Sequence, residues 1–78
     1  MVHGGRYEIR LQGPVTEEVL DDFDAFNSDV GRVETVLHGK VRDQAALHRV
    51  LERIDSLGLE LVAVRRLPRR GATRGRQS

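Results

Sequence analysis

Residues 43–67 read DQAALHRVLERIDSLGLELVAVRRL and carry the clearest secondary-structure pattern of the chain. Asp43 can cap a helix N-terminus, and the glutamine and alanines that follow it are good helix formers. Apolar residues then recur at helical spacing, at Leu47, Val50, Leu51, Ile54 and Leu57. Gly58 is typical of the left-handed residue that ends a helix, and the apolar run from Leu59 to Leu67 predicts a strand that Pro68 stops. This helix-to-strand unit indicates an architecture and no activity.

The N-terminal third predicts a second strand-to-helix unit. Apolar and polar residues alternate from Arg6 to Gln12, which is the period of a strand with one buried face. After Gly13-Pro14, Thr16 offers a helix cap, and Glu17 and Glu18 suit the positive end of the helix dipole. The predicted buried stripe of this helix consists of Val19, Leu20, Phe23 and Phe26.

The middle of the chain predicts two further strands. Residues 25–30 keep a weak two-residue alternation and indicate a short edge strand, and Val33–Val41 follows as a longer one. Gly39 falls on the inner face of the longer strand, which predicts a bulge or a close approach of a helix. In the last strand, simple alternation places Leu61 and Ala63 on the inner face, and Val62 and Val64 on the outer face.

The order strand, helix, strand, strand, helix, strand predicts a ferredoxin-like βαββαβ sandwich of the α+β class. We expect a four-stranded antiparallel sheet in the order 4-1-3-2, with both helices on one face. If residues 25–30 are not a strand, a three-stranded βαβαβ sheet is the alternative. The predicted division is a disordered N-terminus at residues 1–5, one domain at 6–67 and a disordered Arg-rich tail at 68–78.

The stretch from Thr35 to His48, TVLHGKVRDQAALH, and the LGLEL segment at 57–61 resemble a widespread group of small bacterial proteins, most of them described only as hypothetical. The resemblance covers residues 33–67. It departs at Arg49, where the group usually carries glycine. It implies a compact stand-alone domain and brings no activity, cofactor or functional residue with it.

Charge is unevenly distributed along the chain, although the net charge is only +1. Residues 15–30 hold six acids and no base, whereas the C-terminal end is rich in arginine. Nonspecific nucleic-acid binding is therefore an alternative function, through phosphate contacts. The residues that would make these contacts are Arg65, Arg66, Arg69, Arg70, Arg74 and Arg76.

No catalytic or metal-binding pattern stands out in the sequence. His48 and Glu52 have helical i, i+4 spacing, and a zinc site that adds His38 is conceivable, but a solvated helix face explains the pair as well. The glycines form no phosphate-binding loop. We expect no enzymatic activity, no cofactor and no metal. Because no signal-peptide pattern and no membrane-spanning apolar run occur, we also expect a cytoplasmic location without membrane contact.

A protein-interaction module fits the sequence best. Valines on the outer sheet face, together with opposite charges at Glu8 and Arg10 and at Glu34 and Lys40, indicate a surface that meets a second copy. The predicted interface of a homodimer comprises Glu8, Arg10, Val36, His38, Val62 and Val64. An unidentified protein partner and a small-molecule-binding regulatory role resembling ACT domains are alternatives, the latter by fold analogy.

Overall fold

The computed structural model describes residues 4–68, which form a small α+β domain. In chain order its elements are β1 (Gly5–Gln12), α1 (Glu17–Leu20), a 3₁₀ turn (Asp21–Phe23), β2 (Asn27–Val30), β3 (Glu34–Val41), α2 (Gln44–Ser56) and β4 (Leu61–Arg66). The four strands form one open sheet in the order β2-β3-β1-β4, with every neighbouring pair antiparallel. Because Asn27–Val30 pairs with β3, the three-stranded alternative is wrong.

The hydrophobic core lies on one side of this sheet. Ile9 and Leu11 of β1 and Leu37 of β3 are completely buried there, and they pack with Phe23 and with Ile54 of α2. Partly buried residues of α1 and α2 extend the same cluster. Both helical segments therefore cover the same face, and the opposite side of the sheet is left open.

Helix α2 agrees with the sequence at both ends. The Asp43 carboxylate accepts a hydrogen bond from the backbone N–H of Ala46 at 2.8 Å. At the other end Gly58 has a φ of 76°, its N–H donates to the Asp55 carbonyl at 3.0 Å, and the N–H of Leu59 donates to Ile54 at 3.1 Å. These two bonds form a Schellman motif, which turns the chain back toward the sheet.

The first helix is shorter than the predicted stripe indicates. Thr16 caps it as expected, accepting from the N–H of Val19 at 3.3 Å, but the α-helix contains only Glu17–Leu20. The chain then tightens into the 3₁₀ turn and places Phe23 in the core. The three aspartates at 21, 22 and 24 explain the early end, because aspartate is a weak helix former that competes for backbone hydrogen bonds.

Gly39 is closely approached by the turn at Ala25 and Phe26, so that neither a bulge nor a helix explains the glycine and both predictions were wrong. The β1–β3 ladder passes through Gly39 without a bulge. A Cβ atom at this position would lie 3.2 Å from the Ala25 carbonyl oxygen and 3.3 Å from Phe26. The glycine therefore lets the chain entering β2 lie directly against β3.

Strand β4 contains a β-bulge that reverses part of the predicted alternation. Leu61 lies opposite Leu11, whereas Ala63 lies opposite Arg10 and Val64 opposite Ile9, so that Val62 is the extra residue. Residues directly opposite each other in an antiparallel pair share a face. Ala63 therefore lies on the open face and Val64 on the helix-covered face, and the sequence placement of both was wrong.

Candidate functional site

We define the open face as the side of the sheet that carries no helix. Four of the six predicted interface residues lie together on it: His38 is opposite Glu8, and Val36 is opposite Arg10. The next strand continues both rows, with Arg65 opposite Glu8 and Ala63 opposite Arg10. The structure thus brings these four residues into one patch at the centre of the sheet.

The centre of the open face is a network of ion pairs. Arg10 donates from Nε to Glu8 at 2.8 Å and from Nη1 to Glu34 at 2.9 Å, and Arg65 Nη2 donates to Glu8 at 3.4 Å. The hydrogen bond from Arg10 is the main reason that the pKa of the Glu8 carboxyl lies below its ordinary value. Hydrogen bonds to Glu34 and then to Glu8 raise the pKa of Arg10. These charges are thus paired within the molecule.

The lowered Glu8 pKa makes folding stability depend on acid. The folded state holds the Glu8 proton less tightly than the unfolded chain does. The stabilisation that the Glu8 carboxylate gives the fold is therefore fully present above the ordinary carboxyl pKa of 4.5. It is lost as the pH falls through the lowered value. We expect urea midpoints, followed by circular dichroism from about pH 7 to about pH 3, to fall less steeply for Glu8→Gln than for wild type. The control Glu52→Gln, which removes an exposed carboxylate from α2, should keep the wild-type slope; equal slopes for wild type and Glu8→Gln would contradict the assignment.

The remaining two predicted interface residues lie on β4 and not in the central patch. We call the side of β4 that faces away from β1 the β4 edge. Leu61, Val62 and Val64 are large apolar side chains on this strand, with exposed fractions of 43%, 44% and 37%. Val62 occupies the bulge, and Val64 points to the helix side without being covered. Three of the five exposed large hydrophobic side chains within residues 4–68 therefore lie on this edge strand; the other two are Val30 and Val33.

The arginines of the nucleic-acid alternative are only partly described. Arg65 lies on the open face beside Glu8. Arg66 lies on the other side, 6.0 Å from the centroid of the Tyr7 ring, and donates to the carbonyl of Gly4 at 3.3 Å. Arg69, Arg70, Arg74 and Arg76 lie outside the described residues. Since Arg65 and Arg66 point to opposite sides, β4 offers no common basic surface through them.

His38 and His48 do not meet in a common site. His38 lies on the open face, whereas His48 belongs to α2, which covers the opposite face, so the sheet separates them. No cluster of three potential metal ligands occurs within residues 4–68. A shallow groove between the 3₁₀ turn and α2 is bridged by Arg53, which donates to Asp22 at 3.0 Å, and neither histidine lines it.

Comparison with known proteins identifies the family of the chain. Among the helices of residues 4–68, none has the length and apolar character needed to cross a bilayer. No curated protein and no solved structure matches the chain. A family model described as a domain of unknown function, DUF8691, matches residues 6–65, which cover every strand and helix except the two terminal residues Gly5 and Arg66. The chain therefore belongs to the DUF8691 family.

Proposed function

We propose that this protein is a small non-enzymatic interaction module that associates with a second copy of itself through its sheet. The observation that carries this proposal is the exposed apolar strand β4. Within residues 4–68 it supplies three of the five exposed large hydrophobic side chains. Domains that leave such a strand uncovered at a sheet edge pair readily with another chain.

The size of the domain supports self-association. A domain of about 60 residues buries only about 60% of the surface that its unfolded chain exposes, so its core alone gives limited stability. The chain contains no cysteine, and disulfides therefore add nothing. Pairing with a second copy removes further apolar surface from water and stabilises the folded state through binding.

The topology of the sheet supports a more specific fold. Read from the β4 side, the strand order is 4-1-3-2, and both helical segments contribute to one core. We assign the chain on this basis to the ferredoxin-like βαββαβ arrangement, with the DQAALH helix and bacterial distribution as features of its family. Sheet pairing between copies is common in that arrangement, and this support is fold analogy.

The solution mass tests the proposed function directly. Sedimentation velocity or light scattering from about 1 μM to about 1 mM covers the range of weak to moderate affinities. We expect the mass to rise with concentration from the 8.8 kDa of a single chain toward twice that value. A mass of one chain throughout this range would refute self-association.

A further inference from the structure

The two edges of the sheet differ in how well they are protected. The β2 edge has only four residues, three of them the polar Asn27, Ser28 and Asp29. Natural domains use such short, polar or charged edge strands to prevent pairing with other chains. The six residues of β4 are all exposed and begin with the apolar run Leu61–Val64. Of the two edge strands, β4 is therefore the longer and the more apolar.

Backbone groups of β4 are directed toward that edge. The N–H of Leu67 donates to the carbonyl of Arg6 at 2.8 Å, so the backbone of Leu67 faces β1. Successive residues of a strand direct their N–H and C=O groups to opposite sides. Arg65 and Ala63 therefore also face β1, while Val64 and Arg66 direct their groups away from it. In the part of the chain that the structure describes, no strand lies beyond β4 to pair with them.

The charges that flank the apolar run are self-complementary. Glu60 precedes β4, and Arg65 and Arg66 end it. When two such strands run antiparallel, the acidic start of each lies beside the basic end of the other. A parallel pairing would place like charges side by side, which is unfavourable.

We propose that two copies of this chain pair antiparallel through their β4 edges. A two-fold axis perpendicular to the sheet then relates the two copies. Their sheets join into a single sheet of eight strands, four from each copy, with all helices on the same side. Val64 and Arg66 of each copy supply edge donors and acceptors, and the open face stays uncovered. The ion pairs of the open face favour pairing through the β4 edge, because covering the open face would require desolvation of these charges. The inference rests on the proposed function and assigns its contact site.

Backbone and side-chain substitutions test the contact site. Val64→Pro removes an outward-facing N–H that β1 does not use, and we expect it to raise the dimer dissociation constant at least tenfold, or about 1.4 kcal/mol. Val62→Lys places a charge at the edge and should weaken the dimer similarly. Val64→Thr keeps the β-branched shape and the N–H as a matched control, and Val36→Glu alters only the open face. Both controls should retain the wild-type mass.

A charge exchange tests the antiparallel direction. Two variants are prepared separately: Glu60→Arg, and the double variant Arg65→Glu, Arg66→Glu. Each brings like charges together at both ends of the contact, so each should be mainly monomeric. Mixed in equal amounts, they should form a heterodimer, because every flanking pair is then of opposite sign. Native mass spectrometry distinguishes the heterodimer by its mass.

The outcomes separate the contact site from the proposed function. Circular dichroism establishes that each variant is folded, and Val62→Lys decides the matter if Val64→Pro does not fold. A wild-type dimer that persists in the β4 variants and is lost in Val36→Glu would overturn the β4 assignment while leaving self-association intact. A monomeric wild type would overturn both.

Discussion

Leu37→Ala is expected to remove a large part of the domain's free energy of unfolding. Leu37 is completely buried in the middle of β3, where it lies opposite Ile9 of β1 and Ser28 of β2. Truncating a buried leucine costs about 2–5 kcal/mol, because apolar contacts are lost and a cavity remains. A domain of this size has a total stability of about 3–10 kcal/mol, so the loss is comparable with the whole.

Urea denaturation followed by circular dichroism measures the effect at a fixed protein concentration, so that any dimer contributes equally. Val36→Ala is the matched control: it lies next in the chain and on the open face, and it should change stability by less than about 1 kcal/mol. Similar losses in the two variants would contradict the assignment of the core to the Leu37 side of the sheet.

Phe23→Ala should lower the free energy of unfolding by a similar amount, about 3–5 kcal/mol. Its ring is the buried side chain that holds the first helical segment against the sheet, since α1 itself contains no fully buried residue. Without the ring, Glu17–Leu20 is a single turn, which is far too short to be stable alone. We expect the urea midpoint to fall and amide exchange in residues 17–24 to accelerate.

Val19→Ala is the control for Phe23. Val19 is partly buried on the same segment and packs against the same core, so its truncation should cost about 1–2 kcal/mol. Equal losses at the two positions would show that the ring is not the principal anchor.

The sequence predicted the elements with the strongest local signals. Helix α2 has a cap at Asp43, a continuous apolar stripe and a glycine at its end. Each of these signals depends only on residues about one helical turn apart, so it can be recognised from the sequence. Even the short β2 was predicted, because residues 26, 28 and 30 alternate before a longer strand. The stripe predicted for α1 extended too far, since its apolar spacing continues to Phe26 although the backbone leaves the α-helix after Leu20.

The candidate site depended on register, which local patterns do not contain. Glu8 and Arg10 were placed correctly on the open face because β1 alternates strictly. The bulge gave no signal: every residue from Leu61 to Val64 is apolar, so an extra residue does not interrupt any polar alternation. The Arg65–Glu8 contact was missed for the same reason, since simple alternation put Arg66 on that face.

Val62 therefore acts as a one-residue insertion that puts Leu61 and Ala63 on opposite sides of the last strand, although they are two positions apart in the chain. Deleting it would leave Leu61 opposite Leu11 and Ala63 opposite Arg10 as consecutive residues of a regular ladder, so neither would change sides. A family member that lacks one residue at this point would therefore keep the same faces of its outer strand and lose only the bend and added twist of the bulge. The length between Gly58 and Arg65 thus indicates whether the outer strand of a family member is bulged or regular.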